Sequence, residues 1–302
     1  ISVPASSFTM PLREYQYEGG RLEVTEEMKK NFNDAGYILV RGLLDKGDLV
    51  RVKEALEGSS AVMENAFGVG DGEGRESKLC LWNHPGSDVT GMVARCDKVA
   101  GTCAELLGGE VYHYHTKLMM KEAYTGGKHV WHQDYGYWYK NGCLFPDMMT
   151  VFISIDPCKK ANGCLQILEG SHKCGRIEHL MVDGQTGADL ERVKHLEKVV
   201  EHLYVEMEPG DALFFHCNLL HTSSANTSPN RRWAFLCAYN RASNDPVTPH
   251  HHPQYTPLDI VSNSAVKECT NLTDMSGKDF YGPSQGQDKQ RNPASQGLVD
   301  SS

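Results

Sequence analysis

The middle of this chain carries the stretch His129-Val130-Trp131-His132-Gln133-Asp134-Tyr135, from which the other assignments follow. In an extended strand, residues two positions apart project from the same face. The imidazole of His132 and the carboxylate of Asp134 would therefore lie side by side. Two histidines and one carboxylate form the ligand set of mononuclear non-haem Fe(II) centres. We predict that this stretch is a strand that carries two of three metal ligands.

The third ligand is expected in the segment 215–223, where His221 follows an apolar run. A His-x-Asp triplet alone is a weak signal, because any such triplet fits the pattern. The distant histidine, and Arg232 eleven positions after it, make the signal specific. The alternative is a surface pair of His132 and Asp134 with His221 in the core, and this context disfavours it.

An arginine close to the metal is expected to bind a carboxylate. Arg232 begins the last predicted strand, and a guanidinium binds both oxygens of a carboxylate at once. A 2-oxo acid that chelates iron through its keto and C1 carboxylate oxygens leaves its far carboxylate for such a group. Ser223 adds a hydroxyl, and Thr150 on another predicted strand is a further candidate. Arg231 is the alternative anchor, but alternation directs one of the two inward, and Arg232 shares its parity with Ala234.

The composition is ordinary for a globular protein, with 302 residues, 40% hydrophobic and 23% charged, and a formal net charge of -9. The acidic balance argues against a nucleic-acid-binding surface. No apolar run approaches the length of a membrane span, and the start of the chain lacks a signal-peptide pattern. Ten cysteines without a C-x-x-C motif indicate reduced thiols. We expect a cytoplasmic protein without nucleic-acid or membrane partners, and the oligomeric state stays open.

The predicted helices come mostly before the predicted strands. Thr25 and Asp45 cap two N-terminal helices, helical spacing also covers 89–107 and 189–200, and 58–74 is expected to be a loop. Besides the His-x-Asp strand, strands are predicted at 37–40, 80–82, 111–120, 150–156, 163–168, 203–207, 212–216 and 232–240.

This order of elements predicts an α+β architecture, a two-sheet β-barrel of the jelly-roll type flanked by N-terminal helices. We expect one domain over 1–302, with its core at about 25–242. The chain from about 260 to 302 is rich in Ser, Gly, Gln, Asn and Asp, and it is expected to be an irregular tail.

Several motifs together resemble the phytanoyl-CoA dioxygenase family of Fe(II)/2-oxoglutarate-dependent oxygenases. They are His132-Gln133-Asp134, Asn162-Gly163-Cys164-Leu165, Gly170-Ser171-His172-Lys173, Pro209-Gly210-Asp211, and His221-Thr222-Ser223-Ser224-Ala225-Asn226 with Arg232. The resemblance covers about 25–242. It implies a double-stranded β-helix (cupin-like) fold, use of Fe(II), 2-oxoglutarate and O2, and hydroxylation with release of succinate and CO2.

The resemblance also assigns individual residues. It places the metal ligands on His132, Asp134 and His221, and the 2-oxoglutarate anchors on Ser223 and Arg232. Within the family, the stretch from His132 to the aromatic residues that follow Asp134 looks closer to ectoine and free-proline hydroxylases than to the acyl-CoA members.

The substrate is expected to be a small, polar, amino-acid-like metabolite. Tyr135 and Trp138 follow the metal pair closely, and an aromatic wall stabilises a cationic nitrogen. By strand parity Trp138 would share the face of Asp134; the alternative is that both aromatics pack the barrel mouth. Lys117 and His115, on the polar face of the strand 111–120, offer partners for a substrate carboxylate or for 2-oxoglutarate.

Two other functions are considered. An acyl-CoA hydroxylase of the phytanoyl-CoA type would need a basic patch for phosphates, and no dense one is visible. A non-catalytic metal- or 2-oxoglutarate-binding cupin-like domain would have no need for both the triad and Arg232. The remaining histidines, His129, His172 and the run His250-His251-His252, lack a partner at metal-ligand spacing and are expected behind the ligands or at the surface.

Overall fold

The computed structural model describes residues 12–281 of the chain. Its helices are α1 Glu26–Ala35, α2 Lys46–Glu57, α3 Ser60–Glu64, α4 Val89–Arg95, α5 Thr102–Leu107, α6 Asp134–Trp138, α7 Leu190–Leu196 and α8 Ala265–Glu268. Its strands are β1 Glu14–Gln16, β2 Tyr37–Arg41, β3 Phe67–Gly70, β4 Glu76–Trp82, β5 Val111–Lys121, β6 His129–His132, β7 Met148–Ser154, β8 Leu165–Leu168, β9 His179–Val182, β10 Gln185–Ala188, β11 His202–Val205, β12 Ala212–His216, β13 His221–Ser223 and β14 Arg232–Arg241.

Two facing sheets form the barrel. Eight strands make the larger sheet in the order β1-β2-β12-β7-β14-β5-β4-β3, and four make the smaller sheet in the order β11-β8-β13-β6. Apolar side chains of both sheets meet in one buried cluster, with Phe152 and Leu236 from the larger sheet and Ile167 and Val205 from the smaller. The predicted α+β, jelly-roll fold class is confirmed.

The N-terminal helices cover the outer face of the larger sheet. Thr25 accepts a hydrogen bond from the amide of Met28, and Asp45 caps α2, as predicted. Met28 and Phe32 of α1 and Val52 of α2 are buried in one cluster with Ile38 of β2. The barrel is therefore closed on this side, and its polar interior lies between the sheets.

Two element predictions outside the metal centre were wrong. The segment 58–74 was expected to be a loop, but it contains α3 and β3, because Phe67 and Val69 alternate with glycines along a four-residue strand that pairs with β4. The expected single helix over 89–107 is broken. Cys96 is extended (φ -68°, ψ 149°), and a π-helical turn follows at Asp97–Gly101 before α5 begins.

The C-terminal tail is more ordered than its composition indicated. Helix α8 forms, and the chain then returns to the edge of the barrel, where Phe280 forms an antiparallel bridge with Trp82. The ammonium of Lys278 is fully buried and donates to Asp88 at 2.9 Å, to the hydroxyl of Thr90 at 2.9 Å and to a backbone carbonyl. The polar composition did not predict this order, because a long-range ion pair stabilises the segment and composition does not reveal such a contact. Residues 282–302 of the predicted tail lie outside the described residues.

Replacing Lys278 with alanine should destabilise the fold. Removal of one partner leaves Asp88 buried without its cation, and such losses cost about 3–5 kcal/mol. Urea unfolding of the two proteins measures the difference. Lys29→Ala, which breaks an exposed ion pair with Glu26, is the matched control and should leave the free energy of unfolding nearly unchanged. Equal effects of the two substitutions would contradict the structural role of Lys278.

Candidate metal centre

Three side chains converge where the smaller sheet meets α6. His132 ends β6, Asp134 begins α6, and His221 begins β13 directly opposite His132. One ligand atom from each of the three lies within 4.8 Å of the others, and Asp134 Oδ1 is 3.9 Å from His221 Nε2. Within the described residues no other group of three such side chains meets this criterion.

The prediction that the strand continues through Tyr135 was wrong. Asp134 already belongs to the first turn of α6, and Gln133 is the last extended residue (φ -114°, ψ 136°). One extended residue between them still directs His132 and Asp134 toward the same volume. The parity argument for Trp138 fails, because Trp138 lies one helical turn beyond Asp134. Its ring nevertheless packs against His115, with centroids 5.7 Å apart.

Hydrogen bonds fix the tautomers of both imidazoles. Nδ1 of His132 lies 2.8 Å from the carbonyl of Val130, and Nδ1 of His221 lies 2.9 Å from that of Leu219. A carbonyl only accepts, so each Nδ1 carries the proton and each Nε2 has a free lone pair. Burial lowers the pKa of both imidazoles, which favours the neutral form that binds a metal.

The carboxylate of Asp134 is anionic and oriented. Burial opposes ionisation, but the charge of Lys117 and the hydrogen bond from Thr150 act against it, and the pKa of Asp134 is lowered. The hydroxyl of Thr150 donates to Asp134 Oδ2 at 2.6 Å. This hydrogen bond leaves Oδ1 to face the histidines. The expected contact of Thr150 with 2-oxoglutarate stays a prediction.

The two neighbouring arginines point in opposite directions. Arg232 is fully buried, its Nη1 is 3.6 Å from the sulfur of Met119, and its Nε and Nη2 have no hydrogen-bond partner within residues 12–281. Arg231 points outward and pairs with Glu57 and Asp156. A buried guanidinium with unpaired donors is stable only if an anion satisfies it, so Arg232 fits the far carboxylate of a 2-oxo acid.

Lys121 was not among the site residues predicted from the sequence. Its ammonium is fully buried and donates to Ser223 Oγ at 2.8 Å, and Lys121 is the register partner of Arg232. Burial lowers the pKa of Lys121, and the nearby Arg232 lowers it further. His129, expected behind the ligands or at the surface, is also buried and its Nε2 has no partner in the described chain. Strand alternation places Lys121 on the same polar face of β5 as Lys117, and this pattern could have identified Lys121 from the sequence.

The four predicted substrate residues differ in their surroundings. Lys117 is half-buried, with no hydrogen-bond or ion-pair partner among residues 12–281, and His115 is buried. Tyr135 donates its hydroxyl to the carbonyl of Cys143 at 3.0 Å and packs in the same apolar cluster as Trp138. The structure therefore favours the packing alternative for Tyr135.

The donor set fits a divalent iron ion, since two neutral imidazoles and one carboxylate converge and leave other coordination positions for small ligands.

The model of the family described as Phytanoyl-CoA dioxygenase (PhyH) matches residues 32–234. The chain belongs to the phytanoyl-CoA dioxygenase family. The predicted family and fold are thereby confirmed.

Within this family, the chain is similar to two bacterial enzymes and to one solved structure. The L-proline trans-4-hydroxylase of Streptomyces griseoviridis is 27% identical over 246 residues, which cover 75% of this chain and 90% of the relative. An ectoine dioxygenase of Streptomyces avermitilis is 25% identical over 251 residues, 78% of this chain and 84% of the relative. The crystal structure of EctD from S. alaskensis with 2-oxoglutarate and 5-hydroxyectoine superposes with a TM-score of 0.68 at 20% identity, over 81% of this chain and 94% of that one.

Thr150→Val should weaken iron binding without changing the ligands. Loss of a group that orients a metal ligand typically lowers metal affinity 10- to 100-fold, and Asp134→Ala should abolish stoichiometric binding. Competition with a chelator measures the affinity. Ser154→Ala is the control, because this hydroxyl lies on the same strand but donates to the carbonyl of Asp156. Unchanged iron binding by the Asp134 variant would remove the assignment of the centre.

Proposed function

We propose that this chain is an Fe(II)- and 2-oxoglutarate-dependent dioxygenase that hydroxylates a small, polar, amino-acid-like metabolite. The observation that carries the proposal is the convergence of His132, Asp134 and His221 within a barrel that also buries the unpaired guanidinium of Arg232. The predicted enzyme class is confirmed by the family match and by relatives named hydroxylase and dioxygenase. The cofactors are supported by the triad and by the EctD structures with bound Fe and with 2-oxoglutarate.

The roles of the residues follow from their positions. His132, Asp134 and His221 would hold iron, and Thr150 would keep the carboxylate oriented. Bound iron, with 2-oxoglutarate as the co-substrate, activates O2 for insertion of oxygen into a C–H bond, with succinate and CO2 as by-products. Arg232 would bind the far carboxylate of 2-oxoglutarate.

The groups around the anion subsite support this role. Lys121 holds the hydroxyl of Ser223 beside Arg232, so two cations and one hydroxyl converge there. Arg232, Lys121 and Ser223 are all buried, and charge contacts are stronger away from bulk water.

The substrate class is supported by the polar face of β5 and by the relatives. Lys117 offers an ammonium to a substrate carboxylate, and the Trp138 ring offers a face to a cationic nitrogen. The relatives are named for proline and ectoine, both small and amino-acid-like. An acyl-CoA ester is disfavoured because the chain is acidic, with a formal net charge of -9.

A cytoplasmic location stays a prediction, supported by ten cysteines that are all free thiols. Among the described helices, none has the length and apolar character needed to cross a membrane. The expectation of no nucleic-acid partner and of one domain over the whole chain likewise stays a prediction.

Arg232→Ala should raise the KM for 2-oxoglutarate by one to two orders of magnitude. A hydrogen-bonded contact to a charged group contributes about 1.5–3 kcal/mol, and each 1.4 kcal/mol is tenfold in affinity. Steady-state succinate formation measures this change. Arg231→Ala is the matched control and should leave the KM within about threefold, since Arg231 faces outward. The opposite ranking of the two variants would overturn the assignment of the anchor.

A substrate panel tests the proposed class. The panel contains free amino acids including L-proline, ectoine, quaternary betaines and acyl-CoA esters, and succinate formed above the substrate-free background is the readout. We expect stimulation by a zwitterionic amine. Stimulation by acyl-CoA esters alone would contradict the substrate class, and absence of iron-dependent succinate formation under every condition would contradict the enzyme class.

A further inference from the structure

His115 is a buried histidine whose ring has no hydrogen-bond partner within residues 12–281. It is 5% exposed, and its Nδ1 is fully enclosed. The nearby His113 shows the usual arrangement, in which Nδ1 donates to the carbonyl of Asn83 and Nε2 accepts from the hydroxyl of Thr116. A neutral imidazole has one donor and one acceptor, and a buried group left without partners requires an explanation.

The sheet register shows which way His115 faces. His115 lies opposite Ala238 of β14, and Ala238 lies opposite Thr150 of β7. Residues in one such row project to the same face of a sheet, so His115 and Thr150 both face the barrel interior. Thr150 donates to Asp134, and two strand spacings of about 4.8 Å separate it from His115. His115 therefore lines the volume next to the metal centre, about 10 Å along the sheet.

A second buried imidazole is stacked on His115. His252, on the segment that follows β14, lies with its ring centroid 4.7 Å from that of His115 and an interplanar angle of 28°. It is 7% exposed, and the ring of Tyr114 lies 4.6 Å away. His252 also lines an outer cavity of about 290 Å³, together with His84, His250 and other residues of the returning chain. It thus lies between that cavity and the barrel interior.

The proton on His252 is located by its neighbour Asn83. Nδ2 of Asn83 donates to the carbonyl of His251 at 2.6 Å and to the carboxylate of Asp279 at 2.7 Å. Both partners only accept, so the amide cannot be flipped, and Oδ1 must face Nδ1 of His252 at 2.9 Å. Nδ1 therefore carries the proton, and Nε2 is an acceptor with no partner in the described chain.

We propose that His252 is a substrate-binding residue whose Nε2 accepts a hydrogen bond from an N–H of the substrate. This inference rests on the proposed function and deepens it, because it requires an amine or imine-type nitrogen that carries a proton and disfavours a quaternary one. The rings of Tyr114 and Trp138 lie against His115 and provide aromatic faces for the positive charge of such a nitrogen.

The surroundings keep this acceptor available. Burial lowers the pKa of His252 and of His115 well below the ordinary value for histidine, so both rings are neutral near pH 7. Neighbouring His251, His250 and Lys117 act in the same direction on His252. A protonated substrate nitrogen then meets a lone pair instead of a competing cation.

Kinetics with a pair of probes test the assignment. The probes are L-proline, which has N–H groups, and N,N-dimethyl-L-proline, which has none. His252→Phe retains a stacked ring but removes the acceptor. The KM for L-proline should therefore rise at least tenfold, and a tenfold rise corresponds to about 1.4 kcal/mol. His252→Gln retains an acceptor and should recover part of this loss. The KM for 2-oxoglutarate in the substrate-free reaction should not change in either variant. Val247→Ala, an exposed position on the same segment, is the control and should leave both values within twofold.

A measurement without turnover covers the case in which a variant does not fold. In protein loaded with Zn(II) and 2-oxoglutarate, the ring nitrogen resonances of His252 should show a proton on Nδ1. L-proline should shift the Nε2 resonance, and the dimethyl derivative should not.

A proton on Nε2, equal responses to both probes, or an unchanged KM in His252→Phe would overturn the inference. If the wild type forms succinate but L-proline neither stimulates it nor shifts His252, the inference fails while the enzyme class stands. If no succinate forms at all, the proposed function fails.

Discussion

The antiparallel pairing of β13 with β6 is the constraint on which the candidate site depends. It places His221 opposite His132. The Nδ1 of each imidazole donates to the backbone carbonyl of the residue two positions earlier in the sequence. A slip of one residue would turn His221 to the other face of the sheet. The register is fixed from both sides, because β13 also pairs with β8 and the hydroxyl of Thr222 donates to the carbonyl of His129. The relative position of the two histidine ligands is thus a property of the smaller sheet.

The larger sheet contributes buried polar side chains to the site. Arg232 and Lys121 are register partners, and both are fully buried. Burial and the neighbouring Arg232 both disfavour the charged form of Lys121, so stability alone does not account for this pair. A bound dicarboxylate, as proposed, would compensate the loss of hydration of both side chains.

The sequence predicts those parts of the site that are encoded locally. The His-x-Asp spacing, together with the distant His221 and Arg232, was enough to single out the metal pair. Strand parity was enough to choose Arg232 over Arg231. The short helix that begins at Asp134 was not predictable, because five residues are too few to show a helical period. The hydrogen-bond partners of Asp134 and Ser223 were not predicted, since Thr150 and Lys121 lie far from them in sequence and reach them from the other sheet. The run His250-His251-His252 was expected behind the ligands or at the surface, because nothing in its own sequence indicates that the chain returns to β5.

The buried ion pair of Lys278 with Asp88 ties the end of the described chain to the start of α4, and the family match ends at residue 234. The three proposed metal ligands and Arg232 all precede that point, whereas the returning segment with His252 follows it. If His252 contacts the substrate as proposed, substitutions in the returning segment would change which molecule is bound without removing a metal ligand. The ion pair thus holds a separate specificity element against the barrel that carries the chemistry.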